Sequence, residues 1–79
     1  MTTLYSYRNW KLQVFGREHG LPHFHVWTPD GAAVVAIGTL AVLSGSIDAS
    51  ALAEAREWAK SHSAQIAAEW LRLNPEKPS

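Results

Sequence analysis

The chain has no cysteine, so no disulfide framework holds it, and that composition fits a reducing compartment. The loss matters at 79 residues, because a chain this short buries only about 60–65% of its unfolded surface. Oligomerisation or a bound metal then remain as outside supports. An excess of charge is missing too: seven basic residues balance seven acidic ones. That excludes the broad positive field of a general nucleic-acid binder. The one local concentration of positive charge, Arg8, Lys11 and Arg17, reads first as ordinary solvated surface.

Long apolar runs are also absent. The longest, Ala32 to Leu43, is interrupted at Gly38-Thr39 and falls short of the ~18–20 residues of a membrane helix. The first residues lack the basic start and apolar stretch of a signal peptide. A cytoplasmic protein without membrane contact is expected. No repeat, low-complexity tract or linker divides the sequence, so residues 1–79 should form one domain, with its core at about 4–74 and a loose tail at 75–79.

What is there centres on His19-Gly20-Leu21-Pro22-His23-Phe24-His25-Val26-Trp27, which holds three of the four histidines. Pro22 suits the position just before a strand. In a strand over residues 23–28 alternate side chains share a face, which groups His23, His25 and Trp27 opposite Phe24 and Val26. Before it, Trp10, Leu12 and Val14 alternate with Lys11, Gln13 and Phe15 as a half-buried strand. Residues 1–9 show no clear period, and Tyr5 and Tyr7 suit only an edge segment.

After the turn at Pro29-Asp30-Gly31, two further strands, Ala32 to Ile37 and Leu40 to Ser44, flank Gly38-Thr39. A two-residue loop with glycine first predicts a type II′ hairpin. Its register sets Ile37 against Leu40, Ala36 against Ala41 and Val35 against Val42. Carried back through the Pro29 turn, it brings Trp27 near Ala32, His25 near Val34 and His23 near Ala36. One face of this meander, with Leu12, Val14, Phe24, Val26, Val35, Ile37, Leu40 and Val42, should be the core. The other, with His23, His25, Trp27, Val34, Ala36, Ala41 and Leu43, is too apolar for a wetted face. Something should cover it, whether a second copy, a partner chain or the C-terminal helix wrapping round, and Trp27, Val34, Ala36, Ala41 and Leu43 are the candidate partner-binding residues.

The rest is helical. Asp48 is a good N-cap, and Ile47 with Leu52 has the spacing of a hydrophobic staple. Leu52, Ala55, Trp58, Ala59 and His62 share one face, continued by Ile66, Ala67, Trp70, Leu71 and Leu73. One helix from Ala49 to Asn74 would be ~39 Å long, against a domain width of ~25 Å. A break near Ser61-His62-Ser63 is therefore expected, and Pro75 should end the second helix. The expected fold is α+β: a four-stranded antiparallel β-meander followed by two C-terminal α-helices packed on one face.

Clustered imidazoles admit three readings. His19, His23 and His25, with His62 or Glu18, could hold Zn²⁺ or Ni²⁺. His23 and His25 could act as acid and base on a phosphodiester, with Arg17 or Lys11 steadying developing negative charge, as in a small metal-independent ribonuclease. Or the rings are structural, with His62 capping the first helix; this last reading, joined to partner binding, carries the most weight.

The apolar strand, His19, the run Leu21-Pro22-His23-Phe24-His25, a hairpin ending in Gly45, a helix with Trp58 and His62 and a last helix with Trp70 together resemble a small prokaryotic family, domain of unknown function 4160. The likeness runs from about Leu4 to Asn74. Family members commonly have a further proline where this chain has Leu21. The resemblance implies one half of a bacterial two-gene, toxin–antitoxin-like cassette, hence a protein partner and a cytoplasmic setting. It implies no catalytic residue.

Overall fold

Five strands, not four, run in sequence order across one antiparallel sheet: β1 (Thr2–Tyr7), β2 (Trp10–Val14), β3 (His23–Thr28), β4 (Gly31–Ala36) and β5 (Val42–Gly45). Two helices follow, α1 (Ala49–Ser61) and α2 (Ser63–Leu73). The structure is a computed structural model and describes residues 2–17 and 20–75. Glu18, His19 and the tail beyond Pro75 lie outside the described residues.

The additional strand is β1. Its pairing with β2 shifts between Thr3 and Tyr5, and such a bulge places an extra residue out of step with the partner strand. Leu4 and Tyr5 are consequently both half-buried, which erases the period-two signal. Further along, the expected register holds residue for residue: His23 pairs with Ala36, His25 with Val34 and Trp27 with Ala32. Across the last hairpin Val35 meets Val42 as expected, but the turn differs. It is a wider loop in which Leu40 N–H donates to the Ala36 carbonyl at 2.9 Å and Ala36 N–H to the Ala41 carbonyl at 2.9 Å. Leu40, not a glycine, takes the left-handed conformation there, with φ of 63°. The register then slips, so that Val34 pairs with Ser44 and Leu43 is left at the irregularity. Gly45, at φ 78°, backs onto the Ala32 carbonyl, and a side chain there would collide with it.

Both helices lie on one face. Leu12, Val14, Phe24, Val26, Val35 and Ile37 point into that layer and meet Ala51, Ala55, Ala59, Ile66 and Trp70. The buried stripe of α1 is thus Ala51-Ala55-Ala59, flanked by half-buried Leu52 and Trp58. Leu71 and Val42, both expected in the core, are exposed, Val42 because it lies on the last strand of the sheet.

Asp48 caps α1 by accepting from Ala51 N–H at 3.1 Å. The helix stops at His62, whose φ of −124° leaves the helical region. The domain's long axis is 40 Å, so length alone did not require this break. The ring of His62 reinforces it, with Nδ1 donating to the Trp58 carbonyl at 2.8 Å. No helix among the described residues is long and apolar enough to cross a membrane.

A polar clasp joins β1 to α2. Thr2 Oγ1 donates to the Glu69 carboxylate, and Arg72 reaches both Glu69 and Thr2. The hydrogen bond from Arg72, followed by that from Thr2, holds the Glu69 carboxyl at about 2, below its ordinary 4.5. A depressed folded-state value means that the clasp's contribution is complete above about 4.5 and is lost as pH falls toward 2. Glu69→Gln is therefore expected to flatten the acid limb of stability in that window, measured by urea unfolding at stepped pH. An unchanged limb would show that the clasp contributes nothing.

Candidate functional site

Alternation along β3 places Phe24 and Val26 under the helices and turns His23, His25 and Trp27 to the opposite side. Phe15, just beyond β2, joins them. His25 is the centre of the group: its ring lies 4.4 Å from Phe15, 5.3 Å from His23 and 6.2 Å from Trp27, parallel to the last within 12°. These separations are those of offset and edge-to-face ring contacts. The rings therefore form a continuous row across two strands.

The two candidate acid–base histidines are thus brought together, in unequal settings. His25 is half-buried, whereas His23 is only 9% exposed. The difference comes from α2, whose Trp70 meets the His23 ring at 4.9 Å at the end of β3. His23 Nδ1 lies 2.7 Å from the Leu21 carbonyl. A carbonyl only accepts, so Nδ1 carries the proton, and in the neutral ring Nε2 is the basic nitrogen. Metal-bound and general-base histidines share this arrangement, in which a backbone acceptor sets the tautomer.

The remaining candidates are dispersed. Arg17 is exposed, in the left-handed region at φ 58°. The charges read together in sequence divide: Arg8 and Lys11 line one cleft with Tyr7, Trp27 and Pro29, while Arg17 lies past the other end of β2. His62 belongs to the helical layer, stacked on Trp58 with ring centres 4.1 Å apart. Among the described residues no three His, Cys, Asp or Glu side chains gather as a metal site, and His19 lies outside them.

Of the partner-binding candidates, Trp27 and Leu43 are exposed, Ala41 is exposed and Val34 is half-buried. Ala36 is buried at 6%, enclosed near Trp70 where an apolar cleft of about 410 Å³ opens between Pro22, Ile37 and Ala67. Sequence reasoning put Phe15 on the right face without including it in the site; its aromatic character was the available signal. It gave no hint of Trp70, whose approach to His23 is purely tertiary.

A one-sided α+β domain with a ring-bearing outer sheet face is the class these features define. The family described as Domain of unknown function (DUF4160) matches residues 10–71, and the chain belongs to it. No curated protein and no solved structure matches the chain.

The tautomer can be read directly. At a pH where His23 is neutral, ¹⁵N NMR is expected to show Nδ1 as the protonated nitrogen. An Nε2–H tautomer would contradict the Leu21 hydrogen bond and remove His23 Nε2 as a base or ligand.

Proposed function

We propose that this chain is a small cytoplasmic protein-interaction component of a bacterial toxin–antitoxin-like two-gene cassette, and that it docks through the side of the sheet that ends in β5. One observation carries the reading. β5 pairs with β4 along one edge only, and all four of its residues are exposed, Val42 and Leu43 among them. Soluble proteins blunt such edges with charge, proline, a covering element, a bulge or a short strand; β5 is short and irregular but lacks the first two. Here no charged residue and no proline occurs from Gly31 to Ile47. The register slip at Leu43 turns out an apolar side chain where a protected edge would carry a lysine.

The other edge is different in kind. Like β5 it is irregular, but β1 is also clasped to α2 through Thr2. The occupant of the β5 edge is a second copy of the chain. Antiparallel pairing of a strand with itself is two-fold symmetric, and an uncharged strand is complementary to itself. Joined so, two sheets become one continuous sheet whose outer face, with Phe15, His25, Trp27 and Val34, is the platform for the cassette partner. Zero net charge favours a protein partner over a nucleic acid.

A second reading, a histidine-centred site that binds Zn²⁺ or Ni²⁺ or cleaves RNA without metal, is supported by the His23 tautomer and its contact with His25. It would draw on Arg17, and for metal on His19; His62, stacked on Trp58 in the helical layer, is not part of it. It requires that His23→Ala with His25→Ala abolish metal retention or RNA cleavage while circular dichroism stays unchanged.

Light scattering after gel filtration tests the main reading. The chain is expected to elute as a dimer, and Leu43→Lys as a folded monomer. A monomeric wild-type chain at tens of micromolar, or a dimer indifferent to Leu43→Lys, would overturn edge pairing.

A further inference from the structure

At the other end of the sheet, the bulge in β1 and the short hairpin to β2 gather Tyr5, Tyr7 and Trp10 against Trp58 of α1. The ring centres of Tyr5, Tyr7 and Trp10 are mutually 5.6 to 6.4 Å apart, and Trp10 is tilted by 48° and 42° to the two tyrosines. Trp58 stacks on Tyr5 at 4.9 Å. Between them is a notch of about 150 Å³ lined by Tyr5, Tyr7, Trp10, Trp58 and one other side chain, Glu54. The Trp10 indole N–H donates to Glu54 Oε1 at 3.2 Å, which holds the carboxylate at the notch.

We propose that this notch is a binding site for a methylated or quaternary ammonium group. Trp58 is stacked on Tyr5 and on His62 and Trp10 is buried, so the ring open to a ligand is Tyr7. A cation over its face would lie within the ~6 Å of effective attraction, and the carboxylate supplies the opposite charge. Aliphatic side chains, which would suit a neutral apolar ligand, are not among the lining residues. The chain already places one cation of its own at these rings, with the Arg8 guanidinium 5.9 Å from the Tyr7 centre. Such a head group is weakly hydrated, so burying it against π-faces is less costly than burying a primary ammonium.

Tetramethylammonium is the probe, titrated into the full chain and followed by proton NMR of its methyl resonance, with 3,3-dimethylbutan-1-ol as the neutral isostere. Upfield ring-current shifts and saturable binding are expected for the cation, with the neutral isostere at least about fivefold weaker. Glu54→Gln keeps an acceptor for the Trp10 N–H and removes only the charge, so it should fold normally and weaken binding about threefold or more. Tyr7 is 42% exposed, so Tyr7→Leu should also fold; it should lose most of the ring-current shift, and Tyr7→Phe should retain it. Equal binding of the neutral isostere, no shift of the cation, or undiminished affinity in Glu54→Gln would each overturn the proposal. The site shares no residue with the β5 edge, so dimer formation and cation binding can fail independently.

Discussion

Three alanines determine how this domain is closed. Ala51, Ala55 and Ala59 form the buried stripe of α1, and small side chains let a helix backbone sit close to the sheet it covers. The space beneath is filled from the strands, by fully buried Leu12, Val14, Phe24, Val26 and Val35, each worth ~1.5–3 kcal/mol of apolar burial. Trp70 and Ile66 complete the layer from α2. The fully buried aliphatic side chains are thereby drawn to one side. With both helices on that side, α2 reaches the other face at one end, where Trp70 meets His23, and Trp27 and Leu43 stay exposed.

The outer face shows the effect. It is neither a second core nor an ordinary polar face: its middle is a row of rings, Phe15, His25, Trp27 and the more enclosed His23. Gln13 sits in the same layer, buried, with its amide donating to Thr3 at 2.8 Å. Toward β5 the surface becomes aliphatic and stays uncharged. The two ends of the sheet thus differ in chemistry, aromatic with a carboxylate at β1–β2 and apolar with an unpaired edge at β5. A histidine pair lies between them, with one member held in a defined tautomer by backbone.

The middle of the sheet was legible from residues because two local signals agreed there. Alternation over residues 23–28 and the Pro29-Asp30 turn leave one register, and His23, His25 and Trp27 meet Ala36, Val34 and Ala32 as expected. Strand β1 was not legible, because the Thr3/Tyr5 bulge breaks the periodicity that would reveal it. Gly38 misled the turn assignment, since Leu40 accepts the left-handed conformation that a glycine usually takes. The helix break was anticipated on length, yet its physical cause is the backbone turn at His62 and its ring's bond to Trp58. In the site, the pairing of His23 with His25 followed from spacing alone. The enclosure of His23 by Trp70 and the meeting of Tyr5 with Trp58 depend on how helices pack, which single-strand patterns do not contain.

The account rests on a one-sided interior that leaves β5 as an open, self-complementary edge. Amide hydrogen exchange of Val42–Gly45, read by NMR over a range of protein concentrations, examines that edge at the atoms concerned. The β5 amides facing away from β4 should gain protection as concentration rises, while those of β3, already paired on both sides, stay constant. Rapid exchange of those β5 amides at every concentration would contradict the account.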